Sequence, residues 1–204
     1  MSELFGQSSI TFLSLTILSY CLGSISFGIL LARLFNLGNL REIGSGNIGT
    51  TNVLRTGNHW AAGLTLLLDF AKGLIPVLVA INILDDTIQL QIVAFAPFLG
   101  HLFPIWHKFK GGKGVATYFG IVFGISFPGG LICAVIWLAC AFLSRFASLS
   151  ALISVLFFPI GLYLLDIHDF LPVAVIITIM VWLCHLSNLK RLLSGNESKI
   201  KLNN

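Results

Sequence analysis

Charge is what this chain has least of. Only 10% of its 204 residues are Asp, Glu, Lys or Arg, while 56% are hydrophobic and the mean hydropathy is +0.95. A soluble domain carries about 25% charged residues. The deficit excludes a chain solvated mainly by water, and no polar stretch is long enough to build a separate soluble domain. The expectation is one all-α polytopic membrane unit over 1–204, with membrane lipid as its surroundings and no nucleic-acid partner. Other absences narrow the chemistry. The first residues lack a basic n-region and an A-x-A-like site, so no cleaved signal peptide is read and the first apolar stretch stays as a helix. The four cysteines, Cys21, Cys133, Cys140 and Cys184, lie in apolar runs without metal-ligand spacing and read as small buried hydrophobes. Cys184 and His185 are adjacent, and neighbours on a helix point about 100° apart, which argues against a nucleophile–base pair. There is no H-E-x-x-H and no H-x-x-x-x-D: five residues after His59, His101, His107, His168 and His185 stand Leu64, Trp106, Gly112, Val173 and Lys190. No metal or cofactor is expected, and any chemistry must run without a strong protein base.

What is there, in quantity, is long apolar runs. A helix crossing the bilayer needs about 20 apolar residues. Segments 10–32, 61–84, 88–106, 149–166 and 170–188 qualify. The stretch 114–143 is too long for one straight helix and is interrupted by Phe127-Pro128-Gly129-Gly130, a turn signal that splits it into 114–127 and 130–143. Seven crossings result; five is the alternative if that stretch forms one kinked span. Both counts are odd and put the termini on opposite sides.

The basic residues give the orientation. Arg33, Arg41 and Arg55 follow the first span, Lys108, Lys110 and Lys113 the third, Arg145 the fifth, and Lys190, Arg191, Lys199 and Lys201 the seventh. Eleven of the twelve Lys and Arg residues thus share one face, while the other ends carry Glu3, Asp85, Asp86, Asp166 and Asp169. The positive-inside rule makes the basic face cytoplasmic, with the N-terminus outside and the C-terminus inside. The twelfth, Lys72, lies within the second span with Asp69 three residues before it, on the same helix face. A lone charge at mid-bilayer costs at least about 2.5–3.5 kcal/mol, so a mutual pair facing the protein interior is expected, as a structural pair or one that also serves a site.

Four polar stretches fall on the basic face. "REIGSGNIGTTNVLRTG" (41–57) contains a formal G-x-G-x-x-G at Gly44, Gly46 and Gly49. Apolar helices flank it, so a dinucleotide-binding βαβ unit is excluded. The glycines can instead free backbone N–H groups as an anion nest, with Ser45, Asn47, Thr50, Thr51 and Asn52 as neutral donors and Arg55 as a phosphate fork. "GHLFPIWHKFKGGKGVATYFG" (100–120) carries Lys110, Gly111, Gly112, Lys113 and Gly114. It is not a Walker A loop, because His107 stands where the first glycine belongs and Gly114 where Ser or Thr would hold magnesium. It is a glycine-lined turn at a helix start, where free N–H groups and the dipole favour an anion. "SRFASLSAL" (144–152) offers Ser148 and Ser150, which read alone are cap residues. "HLSNLKRLLSGNESK" (185–199) places His185 and Asn188 three apart on one face, able to hold a substrate hydroxyl or an oxyanion.

These stretches, together with "GSIS.G" in the first helix, "LDFAKG", "RFASLS" and "H..NLKRLLSG.E", carry a resemblance to the bacterial acyl-phosphate:glycerol-3-phosphate acyltransferases, the PlsY family. It covers nearly the whole length. Ser26 sits where proline is usual, Phe146 where tyrosine is usual and Ala151 where a second serine is often found. The resemblance implies transfer of a fatty acyl group from acyl phosphate to the 1-hydroxyl of glycerol 3-phosphate. The products are lysophosphatidic acid and phosphate, at the first step of phospholipid synthesis. It further implies a multi-pass protein of the bacterial inner membrane with a cytoplasmic active site, and a functional link to the enzyme that forms acyl phosphate. By that resemblance Ser45, Arg55 and the Gly44–Gly49 loop bind phosphate, Lys113 counters charge, and His185 and Asn188 orient the acceptor or stabilise the oxyanion. Either Ser148 or Ser150 takes the family's serine role, and which loop holds which substrate stays open. The alternative from another class is a transporter for a phosphorylated metabolite. It would place polar residues along a through-path, whereas here they cluster at one face.

Overall fold

The structure is a computed structural model that describes residues 2–200, with side chains from Ser9 to Ile200; Glu3 and Lys201 of the charge map lie outside those described side chains. The described residues form helices and turns only: α1 (Ser2–Ser24), α2 (Phe27–Leu34), α3 (Thr50–Leu54), α4 (His59–Ile81), α5 (Thr87–Leu102), α6 (Val115–Ile125), α7 (Phe127–Ser144), α8 (Ala147–Leu164), α9 (Leu171–Cys184) and α10 (Leu186–Leu193). Single 3-10 turns at Ile105–His107 and His168–Phe170 follow α5 and precede α9. Among the described residues four helices are long and apolar enough to cross a membrane, and up to six crossings result if each bent pair, α1/α2 and α9/α10, is one span. This is a multi-span integral membrane protein. The remaining expected segment, 114–127, is α6. Its 11 residues reach about 17 Å, roughly half the hydrocarbon thickness.

Three expected boundaries shift. The span expected at 10–32 is broken by a 42° bend between α1 and α2. The Ile25 carbonyl exposed at this break accepts a hydrogen bond from Lys72 Nζ at 2.7 Å, which makes a gap in the helix tolerable inside the bilayer. The span expected at 170–188 bends by 57° at His185, where α9 gives way to α10. The split expected at Phe127–Gly130 falls instead at Ser126, whose Oγ accepts from the Gly129 N–H at 3.1 Å and caps α7. Pro128 and the glycines therefore open a helix rather than make a turn, because proline lacks only an N–H that the first turn leaves unpaired anyway.

Two close helix crossings set the bundle. A Cβ built on Gly23 of α1 would lie 2.2 Å from Pro97 O of α5, and one on Gly100 of α5 would lie 2.3 Å from Tyr20 O. At the α4–α6 crossing a Cβ on Gly73 would lie 2.2 Å from Thr117 O, and one on Gly120 2.0 Å from Phe70 O. Backbones touch at both places, as small residues allow between helices in lipid. The core between α5, α6, α8 and α9 is filled by Phe98, Tyr118, Ile121, Phe158, Leu162 and Ile177. These contacts fix α6 against α4 and so the position of the turn that precedes it.

Gly120→Ala is expected to force α4 and α6 apart and to cost about 1–3 kcal/mol. Gly161→Ala, where an added Cβ meets nothing within 4 Å, is expected to gain up to about 1 kcal/mol of helix propensity. Thermal unfolding midpoints in detergent should therefore move in opposite directions.

Candidate active site

A cavity of about 570 Å³ opens where the four polar stretches meet. Its polar mouth takes Ser45, Asn47, Gly49, Thr51, Asn52 and Arg55 from the first loop and α3, Lys113 and Gly114 from the start of α6, Ser148 from α8, and His185 and Asn188 from the α9/α10 bend. Behind the mouth the walls are apolar, with Leu67, Phe70, Phe119, Phe123 and Leu138. Asp69 and His101, both buried, also line it.

The cationic side chains are held across the mouth. Lys113 Nζ donates to Asn188 Oδ1. Asn188 Nδ2 donates in turn to Glu197 Oε1 at 2.7 Å, and the same oxygen accepts from Ser148 Oγ at 2.8 Å. Arg191 Nε reaches Glu197 Oε2 at 2.7 Å. Arg55 donates to Ser198 Oγ at 2.5 Å. Burial pushes the Lys113 ammonium down to about 8. Neighbouring Arg191 and Arg55 push the same way, against the pull of Glu197 and Cys184. Burial works to raise the Glu197 carboxyl, but hydrogen bonds from Asn188, Ser148 and Arg191 outweigh it and hold the group below its ordinary 4.5. His185 has Nδ1 2.8 Å from Val181 O. As a neutral ring it donates there and leaves Nε2 as an acceptor.

Much of the backbone expected to cradle anions is already engaged. In the first loop the Ser45 N–H donates to Asn52 Oδ1, the Gly46 N–H to Ile43 O and the Ile48 N–H to Asn47 Oδ1. Gly44 and Gly46, at φ +54° and +70°, shape the turn and do not line the cavity. Asn52 is a strut, since its Nδ2 donates to Leu40 O at 2.8 Å. In the second loop the Gly111 N–H donates to Leu102 O and the Gly112 N–H to His101 O, so those two groups are not anion donors. Both glycines are required by close approach: a Cβ on Gly112 would lie 2.3 Å from His101 Nε2. Lys110 is exposed, and its carbonyl accepts from Arg41 at 2.5 Å. What remains for an anion in this second loop is Lys113 with the first N–H groups of α6, at Val115 and Ala116, which line the cavity.

The family model for glycerol-3-phosphate acyltransferase matches residues 13–195. The chain belongs to that family. Among curated members it is 50% identical to the glycerol-3-phosphate acyltransferase of Mesorhizobium japonicum, over 90% of this chain and 93% of the other. It is 50% identical to that of Bartonella quintana, over 94% and 92%. Among solved structures it is similar to PlsY (YgiH), an integral membrane glycerol 3-phosphate acyltransferase, in its glycerol 3-phosphate form. That match has a TM-score of 0.90 and 36% identity over 94% of this chain and 96% of the other. The form with lysophosphatidic acid gives a TM-score of 0.85 at 35% identity. Family membership sets the transporter alternative aside.

Within this acyltransferase the geometry separates the two serines. Ser148 lines the cavity, whereas Ser150 is fully buried and donates to Phe146 O of its own helix at 2.9 Å. The sequence reading missed Glu197 and Ser198, because a polar tail after the last span reads as solvated; their place within the "SGNESK" stretch was the available signal. Thr50 lines the cavity, and its Oγ1 is buried without a hydrogen-bond partner among the described residues. Glu197→Gln is expected to release Arg191 and loosen the 186–198 segment, read as faster amide exchange there. In the parent, ionised Glu197 contributes above its ordinary pKa of 4.5. Because the folded-state pKa lies lower, the contribution is lost as pH falls through that lower value. The difference between parent and variant should vanish in acid.

Proposed function

We propose that the cavity carries out acyl transfer from acyl phosphate to the 1-hydroxyl of glycerol 3-phosphate, on the cytoplasmic face of the bacterial inner membrane. The observation that carries this is the continuity of a cationic mouth, Arg55 and Lys113, with an apolar trough that reaches Phe123 and Leu138. Both substrates are phosphorylated and one has a long chain. Each methylene laid in the trough contributes about 0.8 kcal/mol, which retains the donor from the lipid side. The products are 1-acylglycerol 3-phosphate and phosphate, so the protein stands at the first step of phospholipid biosynthesis.

Acyl phosphate is a mixed anhydride with a good leaving group. The acceptor oxygen adds to the carbonyl carbon, the bond from that carbon to the bridging oxygen breaks, and the hydroxyl proton passes to a phosphate oxygen of the donor. No protein base is consumed. Before attack His185 Nε2 accepts the hydrogen bond of the hydroxyl and fixes the place of its oxygen, a positioning role that contributes through orientation; as the oxygen adds, the hydroxyl turns its proton from Nε2 to the phosphate oxygen. This favours acceptor orientation over oxyanion stabilisation for His185, since the free nitrogen of the neutral ring has no proton to give. Lys113 and the α6 N–H groups take the charge that grows on the leaving phosphate, and Arg55, Ser45, Thr50 and Ser148 hold phosphate oxygens. Asn188 keeps Lys113 aimed. The cytoplasmic placement rests on the asymmetry of basic residues: cysteine labels introduced beside Lys113 and Lys199 are expected to react only from the cytoplasm.

If charged Lys113 is the form that works, kcat/KM falls as pH rises through about 8. In Lys113→Arg that descending limb should move out of range, because a guanidinium stays protonated. Lys113→Ala should lower turnover by about 10²–10³, and exposed Lys108→Ala should have little effect. With purified protein, acyl phosphate and glycerol 3-phosphate should release phosphate, while acyl-CoA and acyl carrier protein should be inert as donors. Robust turnover with acyl-CoA, free of any acyl-phosphate-forming enzyme, would overturn the donor assignment.

A further inference from the structure

We propose that a second cavity on the basic face, between the end of α2, the 36–41 loop and the Ile105–His107 turn, is a phosphate site that receives the headgroup of an anionic lipid. The cavity is about 620 Å³ and is lined by Arg33, Arg41 and His107 with Asn36, Asn39 and Leu40 among its walls. It shares no lining residue with the reaction cavity. Its chemistry is the observation that carries the proposal. Two guanidiniums and an imidazole converge on one concavity, and none of the three has a carboxylate within 4.0 Å among the described residues. The carboxylate next along the chain, Glu42, is engaged by Asn39 Nδ2 at 2.6 Å. The Arg33 side chain is exposed and makes no hydrogen bond among the described residues, and Arg41 uses its guanidinium on Lys110 O.

Like charges gathered without a counter-charge repel, and the arrangement is relieved by an anion. Membrane anchoring accounts for arginines on this face, but anchoring is served by splayed side chains and needs no concavity. The loop is shaped into one by left-handed backbone at Asn36 and Gly38, φ +54° and +80°. A guanidinium fork matches phosphate oxygens in pairs, and the asparagine amides add neutral donors. The lipid source follows from the rim. Leu34, which follows Arg33, is 71% exposed and Trp106, which precedes His107, is 63% exposed, and Leu30 and Phe109, within four residues of them along the chain, are exposed as well. Such a rim of aliphatic and indole groups belongs at the level of lipid headgroups. A phosphate seated between Arg33 and His107 would leave its acyl chains against that rim. The inference stands on this cavity alone and not on the acyl-transfer reading.

The test is lipid binding to the full chain in detergent, followed by native mass spectrometry. The Arg55→Gln background is used so that the reaction cavity contributes less. The probes are dioleoyl phosphatidate, dioleoyl phosphatidylcholine and inorganic phosphate. Phosphatidate should bind more tightly than phosphatidylcholine, whose choline cancels the charge. Adding Arg33→Gln should weaken phosphatidate binding by about tenfold, the order expected for one charged hydrogen-bonding partner. His107→Gln should weaken it as well, and it serves as the second variant should Arg33→Gln lower the unfolding midpoint. Basal turnover of Arg33→Gln in the otherwise unaltered chain should be unchanged. Equal phosphatidate affinity in all three proteins would overturn the site. Inorganic phosphate that displaces phosphatidate at similar concentration, in an Arg33-dependent way, would keep the phosphate site and overturn the lipid as its source.

Discussion

The Lys72 ammonium is the constraint on which the rest is built. It lies 1% exposed within a membrane helix, 2.7 Å from Asp69 Oδ1 and 2.7 Å from Ile25 O. Either charge alone would be costly in that environment, and the pair is acceptable only while both are present and further hydrogen bonds complete their shells. The carbonyl that Lys72 takes is the one released where the first span breaks. The ion pair therefore holds the bend between α1 and α2 open. It also ties the bend to α4, and through Asp69, 3.8 Å from His101 Nδ1, to α5. His101 in turn receives the Gly112 N–H on its carbonyl and leaves no room for a side chain at Gly112. The turn that delivers Lys113 is thus seated on a polar cluster that the lipid would otherwise reject.

The mouth of the cavity follows a different economy. Its loop N–H groups are mostly spent on internal turns, so charge is presented by side chains and by the start of α6. Glu197 collects Ser148, Asn188 and Arg191, and Asn188 receives Lys113. One carboxylate from the tail after α10 thereby organises three elements that are distant in sequence. Burial pushes the Lys113 ammonium down to about 8, and Glu197 works against that shift.

Most of the architecture was legible because lipid imposes strong rules: the long apolar runs form helices and the intramembrane Asp–Lys pair is present in the structure. The breaks were less legible. Nothing local in "GSISFG" announces that the first span bends, because the group that tolerates the break, Lys72, is 47 residues away. Pro128-Gly129-Gly130 carried a true signal that was read one step late, since proline opens a helix as readily as it ends one. At the site, residue identities were readable and roles less so. Gly111 and Gly112 looked like anion donors but are spacers against His101. Asn52 looked like a ligand but braces a loop. Ser148 and Ser150 could be told apart only once the helix had a direction. Glu197 needed the tail to fold back on α8, a tertiary event with no periodicity to betray it.

The most direct measurement is a structure of this protein in lipid with glycerol 3-phosphate bound. Its phosphate is expected between Arg55 and Lys113, and its 1-hydroxyl within about 2.6–3.2 Å of His185 Nε2, facing the apolar trough. A phosphate bound away from both cations, or a hydroxyl turned from His185, would contradict this placement.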